Sequence, residues 1–283
     1  MITHSNNVWN NQFLSTHAAF WPLSPFAQTY TQSHTDWPNL DDYQQFFEAG
    51  IGKRYSASGA VLQFVEQGHK PERFEEGYEP RIYLKGEIQT RQRNWHDFFQ
   101  VLVWRMMPNT KTIINLRHYQ ALKQRNKADP GCQQRSSVEN ALTQFDECGA
   151  VLLSSQPELL ELVKNFRWKT LFWQHRSAVN DHLKCIVFGH AMYEKALNPY
   201  IGMTTHSVLL PVEKDFLNQP TANLVTETDD LLTNIFEKDG AINSPQDFFP
   251  FPLLGMPGWD LNNSDEAYYD NLNYFRPGRR VKT

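Results

Sequence analysis

Histidines and acids recur inside the apolar stretches of this chain, and that pattern limits it to folds that can bring them together. Thr90-Arg91-Gln92-Arg93-Asn94-Trp95-His96-Asp97 is one such segment and Phe188-Gly189-His190-Ala191-Met192-Tyr193-Glu194 a second, with Phe145-Asp146-Glu147-Cys148-Gly149 between them. Imidazole and carboxylate side chains are costly to bury unless paired, protonated or bound to a cation. Their recurrence amid Trp, Phe, Leu and Val implies one shared polar site.

A chain of 283 residues can bury a sizeable core, and eight Trp, nineteen Phe and eleven Tyr supply large rings to fill it. Disorder throughout is excluded. The formal net charge of -4 gives no global basic field for a polyanion, so nucleic acid is not an expected partner. Three cysteines, Cys132, Cys148 and Cys185, show no CxxC spacing, which fits a reducing cytoplasm better than a disulfide framework or thiolate zinc site. The start, Met1 to Asn7, has no leader-like pattern, and polar residues interrupt every apolar run short of the ~18 residues a span requires. A soluble cytoplasmic protein without a membrane partner is expected, its oligomeric state left open.

Residues 1–50 read as a helical N-terminal extension, two short helices with Pro22, Pro25 and Pro38 at the turns and Asn39-Leu40-Asp41-Asp42 as a start signal. Residues 66–80 read as a loop and 81–88 as a short strand. Asn94 is an N-cap with Asp97 as a capping-box-like acid, and Pro108 ends that helix. Asn109 or Thr110 caps the next, with Lys111, Arg117, Lys123 and Arg125 facing solvent. A loop follows at 126–137. Gly149 to Leu153 suits a buried strand, Pro157 opens a helix, and Trp168 to Trp173 begins another. The spacing predicts a long helix over 178–197, a strand over 207–212 and a helix over 226–236. Prolines 245, 250, 252, 257 and 277 imply an irregular wrap over 240–283. The sum is a mainly helical α+β single domain spanning 1–283, with few short strands and a Pro-rich C-terminal strap.

The three polar segments, with Phe251-Pro252-Leu253-Leu254-Gly255-Met256-Pro257-Gly258-Trp259 and Tyr274-Phe275-Arg276-Pro277, resemble a bacterial family catalogued only as a domain of unknown function. The likeness runs from about Tyr78 to Arg280. It implies relatives, but no fold, reaction or ligand.

His190 and Glu194, four apart, share one helix face at a spacing used by metal ligands. The alternative pairs Glu194 with Arg176 or Lys195 and leaves His190 hydrogen-bonded in the core. His96, in the first turn of its helix, is a base or third ligand; Arg91 and Arg93 can grip an anion through forked hydrogen bonds. Capping alone explains Asp97. Asp146 and Glu147 precede a strand, where adjacent side chains face opposite ways, so at most one enters a shared pocket; Asp146 is favoured. Cys148 reads as a small buried apolar group rather than a nucleophile. Phosphate-loop, dinucleotide-binding, zincin and nucleophile-elbow motifs are absent.

The expected function is a metal- or His/carboxylate-dependent hydrolase of a small anionic substrate. A divalent ion would sit on His190, Glu194 and His96, with Asp146 or His96 as base and Arg91 orienting the substrate. A non-enzymatic protein with a buried structural His/carboxylate network is the alternative. Nucleic-acid binding by Arg117, Lys123, Arg125 and Lys127 would require salt-sensitive affinity.

Overall fold

The computed structural model describes residues 7–129, 131–132, 134–238 and 240–278; residues 1–6, on which the leader reading rests, Pro130 and the basic residues Arg279, Arg280 and Lys282 lie outside them. After two 3-10 turns come α1 (Ser24–Gln32) and α2 (Leu40–Glu48). Pro22 lies near the end of a 3-10 helix and Pro25 in the first turn of α1, so both sit inside helical structure instead of separating helices. Asn39 does cap α2, its Oδ1 accepting from the amides of Asp41 and Asp42.

Strands β1 (Gln63–Glu66) and β2 (Glu87–Thr90) pair in parallel, joined through α3 (Tyr78–Lys85). The strand expected over 81–88 is therefore mostly helix. Gly86, with φ +74, stops α3, and a Cβ there would lie 1.9 Å from the Val61 carbonyl oxygen. Next are α4 (Trp95–Met106), α5 (Pro108–Ala128) and α6 (Ser137–Cys148). Pro108 opens α5, so Asn109 and Thr110 sit inside it; their amides donate to the carboxylate of Asp229 at 3.0 and 2.8 Å. Lys111, expected at the surface, is buried.

The rest comprises β3 (Gly149–Ser154), α7 (Pro157–Lys164), a π-helical turn (Thr170–Gln174), α8 (Arg176–His182), β4 (Leu183–Val187), α9 (His190–Ala196), β5 (Thr204–Pro211), α10 (Lys214–Leu217), α11 (Thr221–Glu237) and β6 (Phe249–Pro252). The helix expected over 178–197 is thus two helices separated by a strand. Leu183 to Val187 pairs antiparallel with β3, whose backbone groups need partners because every residue of β3 is buried. The larger sheet runs β4-β3-β5-β6, with β3 and β5 parallel and both flanking pairs antiparallel.

Beyond residue 240, β6 joins the sheet edge and the remaining described chain forms short 3-10 turns. Tyr274 donates its hydroxyl to the Met203 carbonyl at 2.7 Å, and Trp168 its indole N–H to the Arg276 carbonyl at 2.7 Å. One contiguous buried apolar cluster extends from Phe13 to Phe275. Among the described residues no helix is long and apolar enough to cross a membrane.

Candidate functional site

The site follows from how two chain segments meet at one end of the sheet. Helix α6 runs into β3 with no intervening loop, and β4 runs into α9 through Phe188 and Gly189 alone. Because Ala150 of β3 sits opposite Val187 of β4, the last turn of α6 and the first of α9 emerge side by side. Gly189 makes the approach close enough: its amide donates to the Gly149 carbonyl at 2.9 Å, and an added Cβ would lie 2.4 Å from the Glu147 carbonyl oxygen.

Helix α4 brings the third element. Asn94 caps it by accepting from the Asp97 amide at 3.1 Å. The Asp97 carboxylate turns back to accept from the Arg91 amide at 2.6 Å and from its guanidinium at 2.7 and 3.1 Å. Along the face packed on α9, His96 and Phe99 match His190 and Tyr193. The two imidazole centroids are 4.4 Å apart and the Phe99 and Tyr193 rings stack at 5.7 Å, two rungs of one interface.

Three ligand-type atoms converge there: Nε2 of His96, Nε2 of His190 and Oε2 of Glu147. The nitrogens are 3.0 Å apart, and Oε2 lies 3.8 Å from His96 and 3.7 Å from His190. The point equidistant from all three is about 2.1 Å from each, the length of a zinc–imidazole or zinc–carboxylate bond. Each imidazole has a carboxylate at its far nitrogen. Nδ1 of His96 lies 3.1 Å from Glu194 Oε2, and Nδ1 of His190 lies 3.8 Å from Asp146 Oδ2. For His96 this is the outer arrangement that fixes the tautomer and ring orientation of metal-binding histidines, whereas Asp146 stands beyond hydrogen-bond distance of His190.

Residues 62–279 match the family described as "Protein of unknown function (DUF3025)". The chain belongs to this family. No match was found among curated proteins or among solved structures. All residues of the site in this DUF3025 protein fall inside the matched region.

Charge around the triangle is unequal. Burial pushes the imidazole of His190 down to about 3, with Asp146 opposing and Lys111 and His96 adding to the fall, so that ring is neutral. Burial also works against a charged His96, but the hydrogen bond to Glu194 and the nearby Glu147 carboxylate outweigh it and raise its pKa. Desolvation raises Glu147. Asp146 is lowered in spite of its burial, because Lys111 Nζ sits 2.5 Å from Oδ1. A neutral His190 that keeps its proton on Nδ1, on the side of Asp146, points its Nε2 lone pair at His96. A cation shared at the triangle, whether a proton on His96 or a metal, resolves that confrontation of lone pairs.

The structure brings His96, Asp146, His190 and Glu194 together as the sequence suggested, but assigns the positions differently. Glu194 and Asp146, expected as ligand and as ligand or base, stand behind the histidines. Glu147 holds the inner position. Asp146 and Glu147 belong to the last turn of α6, where successive side chains are about 100° apart, so both reach the cluster. Arg91 borders the same groove, with its guanidinium matched to Asp97. Arg176 donates to Asn263 and Tyr269, and Lys195 to Cys148 Sγ at 3.6 Å, so among the described residues neither pairs with Glu194. Burial raises the half-buried Cys148 thiol against the pull of Lys195. Arg125 pairs with Glu139 and Arg117 donates to Asn243, which removes two cations from any exposed basic helix face.

The triangle opens on a groove of about 1150 Å³ walled by residues 67–80, α4, α5 and α6. Tyr78 and His118 line it without having been singled out in the sequence. Tyr78 accepts from the Gln100 amide through its hydroxyl.

Proposed function

We propose that this protein is a metal-dependent hydrolase of an anionic substrate, with one divalent cation, zinc in the first instance, held by His96, His190 and Glu147. The supporting observation is the triangle of ligand atoms whose centre is one zinc–ligand bond length from all three. Two histidines and one glutamate leave a fourth position for water, whose pKa such a cation lowers to about 7. All three residues line the groove, so a water held there would be within reach of a substrate in it. Glu194 and Asp146 would hold the two rings in register. Three free cysteines and the absence of disulfides among the described residues suit a cytoplasmic setting.

The test is metal content and titration of the purified protein. About one equivalent of zinc or cobalt per chain is expected, with a rise in Tm. Glu147→Gln and His190→Ala, confirmed folded by near-UV circular dichroism, should each lose at least about ten-fold in affinity. Failure of the wild type to bind stoichiometrically, or variants that bind equally well, would overturn the reading.

A structural network is the competing reading, favoured by the raised His96: an imidazolium donating to His190 on one side and Glu194 on the other would clamp α4 to α9. It predicts that His96→Ala and Glu194→Ala each lose about 1 to 3 kcal/mol of stability. It also predicts a wild-type Tm indifferent to metal.

A further inference from the structure

The groove of about 1150 Å³ that leads to the metal triangle carries four arginines: Arg73, Arg91, Arg125 and Arg135. Three are already matched to acids. Arg73 pairs with Glu76 at 2.7 Å, Arg91 with Asp97 at 2.7 Å and Arg125 with Glu139 at 3.0 Å. Arg135 has no carboxylate partner among the described residues. Its Nη1 donates to the Thr143 hydroxyl at 3.4 Å, which folds the side chain back along α6. Glu139, the nearest acid in sequence, is claimed by Arg125 and by the capping box with Ser136.

Thr143 is four residues before Glu147 on α6. Thr143 and Glu147 are separated by about 6 Å of helix rise on nearly the same face of α6, so the Arg135 guanidinium lies on the side of the groove toward the start of α6 from the triangle. A guanidinium offers five N–H donors in a planar fork, and the Thr143 hydroxyl takes one. Bidentate recognition of a carboxylate or phosphate oxyanion is what the remaining donors suit.

Building on the metal reading above, we propose that Arg135 is the specificity-determining residue of the site. It would anchor an oxyanion that the substrate carries a few bonds away from the group held at the cation. The substrate class is then an extended acyl compound ending in a carboxylate or phosphate. Arg91, matched to Asp97 through both its backbone and its side chain, positions the first turn of α4 instead.

The experiment uses full-length protein loaded with cobalt(II), its visible absorption titrated with three hydroxamates: acetohydroxamate, succinic monohydroxamate and 3-phosphonopropionohydroxamate. All three chelate the cation, and the last two add a carboxylate or a phosphonate a few bonds from the chelating group. Wild type should bind at least one of the charged probes about ten-fold or more tighter than acetohydroxamate, as forked charge-assisted hydrogen bonds provide. Whichever is preferred names the oxyanion. Arg135→Ala should abolish that preference while leaving the acetohydroxamate Kd unchanged, and Arg135→Lys should restore part of it. Equal affinities in wild type, or a preference that survives in Arg135→Ala, would reject the anchor and leave the metal reading standing. If no cobalt spectrum develops, the metal reading falls and the anchor falls with it.

Discussion

Gly189 sets the distance between the two halves of the site. A Cβ at this position would meet the Glu147 carbonyl oxygen at 2.4 Å and Cys148 backbone atoms at 2.5 Å, and backbone cannot swing aside as a flexible side chain can. Gly189→Ala should therefore push the end of α6 away from α9, losing about 1 to 3 kcal/mol in urea denaturation. Metal affinity should drop with it, since Glu147 moves relative to His190. A variant of unchanged stability and affinity would show that this approach is not constraining. The helix expected over 178–197 encloses Gly189, which is instead the N-cap of α9. Glu147 was set aside for a related reason: with no turn residue between α6 and β3, the acids looked like part of the strand, whose alternation would have separated them.

At the scale of elements, α5 braces α6 through a buried ion pair. Lys111 Nζ lies 2.5 Å from Asp146 Oδ1, with the two side chains 4% and 14% exposed, and 5.1 Å from the Trp104 ring centroid. Removing one partner of such a pair strands a charge in low dielectric. Lys111→Met should lose about 3 to 5 kcal/mol, while Lys111→Met combined with Asp146→Asn should recover a good part of it. Additive losses in that double-mutant cycle would reject the coupling. Helix α5 also shows why this was not legible: it buries Lys111, Asn115 and His118 beside Ile113 and Ile114, so no clean apolar stripe separates its faces. Elements with caps or punctuation were readable, as Asn94 for α4, Pro157 for α7 and the apolar run for β3 show. Strand β4 had neither Gly nor Pro before it, and its neighbours on both sides are helical, so periodicity alone merged all three.

Across the whole molecule, the N-terminal segment outside the family match supports the site from behind. Trp9 stacks on Trp95 at 5.3 Å, and Trp37 and Phe13 pack on the same ring, next to His96. His17 ties this segment to the C-terminal turns. Its Nδ1 accepts from the Ala19 amide at 3.1 Å and its Nε2 donates to the Trp259 carbonyl at 2.8 Å, so only the neutral ring satisfies both. Burial lowers its pKa below the ordinary 6.5, although the Trp259 bond and Asp260 oppose the fall. The unfolded chain thus takes up a proton near pH 6.5 that the folded chain refuses until lower pH. Stability from this contact is complete above about pH 6.5 and declines as pH falls, until the folded group protonates as well. Chemical denaturation at intervals from pH 7.5 to 5 should show this decline in wild type. His17→Asn keeps an acceptor for the Ala19 amide and should remove up to one proton from the slope. Superimposable slopes for the two proteins would show that His17 titrates alike folded and unfolded, and that the clamp between the ends of the chain does not depend on its neutral form.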